Sequence, residues 1–322
     1  MIDKFQKLLD SEIKKQRYGK QPQSLYEPIR YLMSLGGKRL RPMLTLMAYN
    51  LYKKDVKPIA PYAIAVEAFH NFTLMHDDIM DKAPLRRGRE TVHKRWNVNT
   101  AILSGDVMLV KVYEMFRGLD AQRFKTVIEA FNKCATEVCE GQQWDMEFET
   151  TDKVTEKEYL NMIRLKTAVL LGFSLELGGI LAGAPANDRK ALREFGTNIG
   201  IGFQLKDDLL DAYADPEKFG KQVGGDIIAN KKTYLLIQAL ERSSGAEEKK
   251  LRHWLSVKKF RKVEKVEAIR NIYNALRIPQ LTEKKVDRYF KKGFSSLDNL
   301  AVPAAAKKSL KGFAKTLIAR QS

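Results

Sequence analysis

Cysteine is nearly absent from this chain. Cys134 and Cys139 are the only two among 322 residues. Five positions apart, they are poorly placed to share a helix face. They build no disulfide framework, so free thiols in a reducing compartment are expected. The opening stretch MIDKFQKLLDSEIKKQ lacks the apolar core of a signal peptide, and with the cysteines it leads to a cytoplasmic expectation. No Gly, Ser or Pro run is rich enough to split the chain, no short-period repeat appears, and no alternating run bounded by tight turns reads as strand. Zinc-finger spacing, an aromatic-plus-glycine RNA signature and a recognition helix are all missing, so the net charge of +18 does not indicate nucleic acid. Much of that charge follows Glu247 in mixed stretches such as KKLRHWLSVKKFRKVEKVEAIRN, which read as a solvated face with at most peripheral membrane contact. The longest oily run, about 168–186, approaches the length of a membrane span. It contains Glu176 and several glycines and ends at Pro185, so a buried helix is expected.

What is present is helical periodicity. Residues 3–17, 24–35, 40–52, 58–80, 99–118, 122–148, 156–182, 188–214, 231–242, 247–257, 261–275 and 281–297 all allow helix. Breakers fall between them, at Gly36-Gly37, Pro58, Pro84 to Gly88, Gly183 to Pro185, Pro216 to Gly225, Ser243 to Gly245 and Pro279. Asp188 is expected to cap the helix that follows it. One all-α domain over 1–322 is the economical reading.

Two copies of an acidic signature stand out, Asp77-Asp78-Ile79-Met80-Asp81 and Asp207-Asp208-Leu209-Leu210-Asp211, each in apolar surroundings. On a helix, residues four apart are separated by about 40° and roughly 6 Å of rise, so the first and last carboxylates of each copy leave one face. Carboxylates so close repel by about a few kcal/mol at a protein-like dielectric, and a cation must hold them. Hard oxygens with incomplete protein coordination suit Mg²⁺ completed by substrate phosphate. Arg86-Arg87-Gly88 follows the first copy, and guanidinium groups match phosphate oxygens. Upstream, Gly36-Gly37-Lys38-Arg39-Leu40-Arg41-Pro42 places three cations at a helix start, a second phosphate-binding candidate.

In these motifs the chain resembles the trans-isoprenyl diphosphate synthases, or polyprenyl synthetases. The matching pieces are GGKRLRP (36–42), VEAFH…HDDIMD…RRG (66–88), GD (105–106), GQQWDM (141–146), LKTA (165–168), GFQLKDDLLD (202–211) and GKQVGGDIIANKKT (220–233). They keep the family's order up to about residue 235. The resemblance implies an all-α helical bundle around a central cavity, usually a homodimer. The implied reaction is head-to-tail condensation of an allylic diphosphate with isopentenyl diphosphate. It implies that Asp77 and Asp81 ligate two Mg²⁺ ions and that Asp207 ligates a third, with Asp211 acting through water. Arg86, Lys166, Thr167, Gln204, Lys221 and Lys231 would bind the allylic diphosphate. Lys38, Arg41, His70 and Arg87 would bind isopentenyl diphosphate. Gln142 and Asp145 would line the wall near the metals. The stretch between Lys221 and Lys231 holds one residue more than in some members, which leaves Lys232 as an alternative contact.

Chain length in this family is implied by bulk ahead of the first acidic motif. Phe72 stands five residues before Asp77 and Thr73 four before, with no insertion in the motif, a pattern resembling short-chain synthases and C20 more than C15. His76 is expected beside the metal site rather than on it, and Trp144 in the core. Two rivals remain. A class I terpene cyclase would not need the metal-free pocket around Lys38 and Arg41. A non-catalytic subunit should have lost an aspartate from one motif.

Overall fold

The computed structural model describes residues 1–214 and 223–318. They fall into two compact units, one of residues 1–132 and 174–189, the other of residues 133–173 and 190–318. Lys221 lies outside the described residues.

The first unit opens with α1 (Ile2–Lys15), α2 (Gln23–Ser34) and α3 (Leu40–Asn50). A 3₁₀ turn over Lys57–Ile59 leads into α4 (Ala60–Met80). Pro61 near the start of α4 costs nothing, because the first-turn N–H groups have no partner within the helix. Ala63, Ile64, Ala65, Val66, Ala68 and Phe69 bury most of its circumference, as a helix at the centre of a bundle requires. It packs against α6 (Val98–Phe116), whose first N–H groups are capped by Asn97 through Thr100 N–H at 2.8 Å. Between them lie a hairpin of β1 (Leu85–Arg86) and β2 (Arg89–Glu90) and the short α5 (Val92–Arg95). The hairpin pairs Leu85 with Glu90 and Arg86 with Arg89. Its two-residue turn, Arg87-Gly88, has positive φ at both positions (52° and 73°), the geometry a tight hairpin needs.

Helix α7 (Ala121–Thr150) continues the chain, its residues from Lys133 onward belonging to the second unit. Helix α8 (Glu156–Ile163) starts at a capping box in which Thr155 and Glu158 satisfy each other's backbone N–H groups. A π turn over Arg164–Ala168 joins it to α9 (Val169–Ala182). The 156–182 run is long and apolar enough to cross a membrane, but 83% of its most apolar window is buried, so it reads as a core helix. Then come α10 (Ala186–Tyr213), α11 (Gly225–Ile228), α12 (Tyr234–Arg242), α13 (Gly245–Ser256), α14 (Lys262–Ala275), α15 (Ile278–Asp298) and α16 (Ala304–Ile318). Leu209, Ala212, Ile227, Leu235, Ile269 and Tyr273 form one apolar cluster that fixes the end of α10 against α11, α12 and α14.

Three expectations change. Asp188 is not a cap: it lies inside the first turn of α10, buried, and accepts the Tyr52 hydroxyl at 2.8 Å. Trp144 is 38% exposed rather than core. Lys231 precedes α12 instead of lying within it.

Candidate active site

Both acidic signatures sit where helices end. Asp77 occupies the last turn of α4, and Asp81 keeps helical geometry as its C-cap, donating its N–H to Asp77 O at 2.8 Å. The pair therefore keeps the i, i+4 relation the sequence requires. Asp78, absent from the sequence-based site, points inward and is 2% exposed. It accepts a two-pronged bond from Arg86, whose Nε reaches Oδ2 and whose Nη2 reaches Oδ1, each at 2.8 Å. A bidentate carboxylate fixes a guanidinium plane; Asp78 thus aims Arg86 beside Asp77 and Asp81.

The hairpin turn presents Arg87 to the backbone of the GGKRLRP segment, where its Nη1 donates to Gly36 O. A side chain on Gly37 would come within 2.9 Å of that guanidinium, which is why the turn is glycine there. Lys38 follows, exposed. Arg39 has a different task. It adopts a left-handed conformation (φ 45°), is buried, and pairs with Glu67 at 2.7 Å while donating to Met33 O at 2.8 Å. Of the three cations, Arg39 builds the turn from which Lys38 and Arg41 project. Burial, and then the charges of Arg41, Arg87, Arg86 and Arg39, hold His70 well below the usual imidazole range. His70 is therefore neutral amid four guanidinium groups, of which Arg39 and Arg86 are already paired with Glu67 and Asp78.

Phe72 lies over the same helix, its ring 5.7 Å from Phe69 and 4.8 Å from His76. Thr73 donates its hydroxyl to His70 O at 2.8 Å. His76 Nε2 is 3.2 Å from Ile102 O, and the ring rests on Gly105 so closely that any side chain there would overlap it. The GD pair at 105–106 thus has a steric cause: Gly105 makes room for His76.

In the second unit a cavity of about 260 Å³ gathers Asp145, Lys166, Thr167, Gln204, Asp207, Asp208, Asp211, Asp226 and Lys231. The π turn supplies Lys166 and Thr167, and such turns recur at functional sites. Its backbone lies against Gly141, where a Cβ would collide with Lys166 N, so the GQQWD glycine is a contact requirement. Lys166 Nζ donates to Asp145 at 2.5 Å, and Lys231 stands 3.7 Å from the same carboxylate. Burial opposes ionisation of Asp145, but Lys231 and Lys166 outweigh it and hold the carboxyl below its usual range. Lys232 is engaged elsewhere, donating to Phe148 O at 2.7 Å at the end of α7. Gln142 is buried on α7, three residues before Asp145.

The middle aspartate again faces inward. Asp208 accepts the Tyr159 hydroxyl, and Gln204 Nε2 at 3.1 Å, and Thr167 Oγ1 reaches Gln204 Oε1 at 3.4 Å. Burial, then the charge of Asp226, push Asp208 up to about 7. Asp211 is oriented by Asp226 N–H, which donates to Oδ2 at 2.9 Å. Tyr159 lacks any local sequence signal, and Asp226, though it lies within the GKQVGGDIIANKKT piece, is not singled out by it, because only folding brings 145, 159 and 226 to the second acidic motif.

Among the described residues no three His, Cys, Asp or Glu side chains gather into a ready-made metal cage. Pairs of hard oxygen donors, partly open to solvent, fit Mg²⁺, which retains waters and takes substrate phosphate as ligand.

An all-α scaffold bearing carboxylate pairs beside cationic side chains has donors whose chemistry suits metal-bound phosphate groups. The polyprenyl synthetase family model matches residues 22–273. The short chain isoprenyl diphosphate synthase of Methanocaldococcus jannaschii is 42% identical over 262 residues, 81% of this chain and 79% of that one. The geranylgeranyl diphosphate synthase of Methanosarcina mazei is 43% identical over 223 residues, 69% of each chain. A crystal structure of a geranylgeranyl pyrophosphate synthase superposes with a TM-score of 0.95 at 42% identity, covering 100% of this chain and 99% of that one. The chain belongs to the polyprenyl synthetase family and is a trans-prenyltransferase with the isoprenoid synthase all-α fold.

Proposed function

We propose that the two units act as one catalytic domain, in which Asp77, Asp81, Asp207 and Asp211 grip a single allylic diphosphate through three Mg²⁺ ions. The observation that supports this best is the shared design of the two motifs. In each, the first and last aspartates stay on one helix face while the middle one is buried against a substrate-facing partner, Arg86 or Gln204. Bound Mg²⁺ would neutralise the charge that gathers on the departing diphosphate. Arg86, Lys166, Thr167, Gln204 and Lys231 contact that same diphosphate and stabilise it as the carbon–oxygen bond lengthens. Lys231 is preferred to Lys232 because Lys232 is already held by the end of α7. Lys221 is assigned by its motif alone. Lys38, Arg41, His70 and Arg87 hold isopentenyl diphosphate without metal, His70 as a neutral ring. Fixing both substrates makes the attack effectively unimolecular. Turnover of isopentenyl diphosphate with C5, C10 and C15 allylic partners, with Mg²⁺ omitted in parallel, tests the assignment. Activity that is independent of isopentenyl diphosphate, or a cyclic product, would reject it.

The product is C20 geranylgeranyl diphosphate, by analogy with the names of the relatives and with Phe72 as the bulk ahead of the motif. Phe72→Ala is expected to lengthen the product by at least one five-carbon unit. Sizing the dephosphorylated products checks this, and an unchanged profile refutes it.

The working form is a cytoplasmic homodimer. Helix α6 leaves Leu103 (58% exposed) and Val110 (56% exposed) one seven-residue repeat apart on one face, an apolar stripe suited to a second copy. Leu103→Glu with Val110→Lys should convert the dimer to monomer in sedimentation experiments; a wild-type chain that sediments as a monomer would remove the proposal.

A further inference from the structure

Lys231 reaches the cavity from a turn that is itself tied down from behind. Helix α11 ends in a Schellman motif. Asn230 takes the left-handed conformation (φ 54°), its N–H donates to Ile227 O at 3.2 Å, and Lys231 N–H donates to Asp226 O at 2.9 Å. One turn therefore sets both Asp226, which orients Asp211, and Lys231, which faces Asp145.

A four-residue helix makes too few bonds of its own to hold such a turn rigidly. The support comes from Lys265 on α14, which is 1% exposed. Its Nζ donates to Asn230 Oδ1 at 2.6 Å and to Ile228 O at 3.3 Å, and lies 4.3 Å above the Phe260 ring. Asn230 Nδ2 in turn donates to Leu255 O at 3.0 Å, anchoring the turn to the end of α13. None of these partners of the ammonium is a carboxylate. Burial lowers the Lys265 pKa from its ordinary value, as expected for a cation removed from water. An apolar side chain of similar length would relieve the buried charge but would leave Asn230 Oδ1 and Ile228 O without that donor. What the lysine adds is direction: two hydrogen bonds to the segment carrying Asp226 and Lys231.

We propose that Lys265 is a positioning residue for the allylic-diphosphate pocket, acting through Asn230 and Ile228 O to fix the turn that delivers Lys231 and Asp226. This rests on the assignment of Lys231 to the allylic diphosphate made above. Neither Lys265 nor Asn230 is placed in contact with substrate.

The test is a double-mutant cycle on the full-length enzyme, with steady-state kinetics and amide hydrogen exchange. Lys265→Met should raise KM for the allylic diphosphate roughly tenfold, leave KM for isopentenyl diphosphate in place, and speed exchange of the Asn230 and Lys231 amides. Combined with Lys231→Ala it should add nothing to the effect of Lys231→Ala alone. Asn230→Gly keeps the positive φ and removes both side-chain links, to Lys265 and to Leu255 O, so it should move KM and exchange in the same direction even if Lys265→Met folds poorly. A drop in melting temperature with KM and exchange unchanged would overturn the proposal, as would additivity with Lys231→Ala. If Lys231→Ala itself leaves the allylic KM unchanged, the pocket assignment fails, and the role of Lys265 in it fails for that separate reason.

Discussion

Asp81→Ala is expected to lower kcat/KM for the allylic diphosphate roughly 10³-fold and to leave the unfolding midpoint in place. The side chain is exposed and the helical geometry at this position rests on backbone, through the Asp81 N–H to Asp77 O bond of 2.8 Å. Removing the carboxylate therefore costs little folding energy. Asp78→Asn should behave differently. Asn can accept from Arg86 at one oxygen only, so the bidentate bond to Asp78 Oδ1 and Oδ2 is lost and the guanidinium can swing. We expect a loss of roughly 10²-fold, expressed mainly in KM for the allylic diphosphate, with the Mg²⁺ concentration for half-activity nearly unchanged. For Asp81→Ala that Mg²⁺ concentration should rise steeply. Titrating Mg²⁺ against both variants separates the roles. Equal Mg²⁺ dependence would show that Asp78 and Asp81 do not divide the work between buttress and ligand.

That division shows where the sequence is legible and where it stops. The helices that carry both motifs follow from apolar spacing, since α4 and α10 bury broad faces around their aspartates. The i, i+4 relation between first and last carboxylates follows from helix geometry alone. The middle aspartate does not, because which of two adjacent carboxylates turns inward depends on partners from β1 and α8. The hairpin at 85–90 also escapes periodicity: its strands are two residues each, and the turn puts Arg87, a non-glycine, at positive φ. The π turn at 164–168 lies within an unbroken helical pattern, and its backbone passes against Gly141. Helix α16 is hidden for another reason. Lys307 occupies a buried register and donates to Asp298 O at 2.7 Å and Leu300 O at 2.8 Å, so a charge interrupts the stripe formed by Leu310 and Ala314.

The other large effect should appear in stability. Glu67→Ala is expected to destabilise the first unit by about 3–5 kcal/mol, because it strands the Arg39 guanidinium in a nearly dry interior. Arg39 is 5% exposed and Glu67 2%, and the pair is 2.7 Å apart. Asn71 Nδ2 adds a 3.3 Å contact to the same carboxylate oxygen, so the loss spreads beyond one bond. Lys38→Ala should leave stability within about 0.5 kcal/mol, since its side chain is exposed, while raising KM for isopentenyl diphosphate. The neighbouring cations thus separate by experiment into one that builds the turn and one that meets substrate. The double variant Arg39→Met with Glu67→Leu removes both charges and should recover most of the stability lost in Glu67→Ala, as apolar replacements of buried ion pairs commonly do. Its activity should stay low, because the left-handed turn at Arg39 that projects Lys38 and Arg41 has lost its anchors at Glu67 and Met33 O. Urea unfolding followed in parallel with isopentenyl diphosphate kinetics checks both halves. If the double variant regained full activity along with stability, the ion pair would be a packing feature and the cation pocket would owe it nothing.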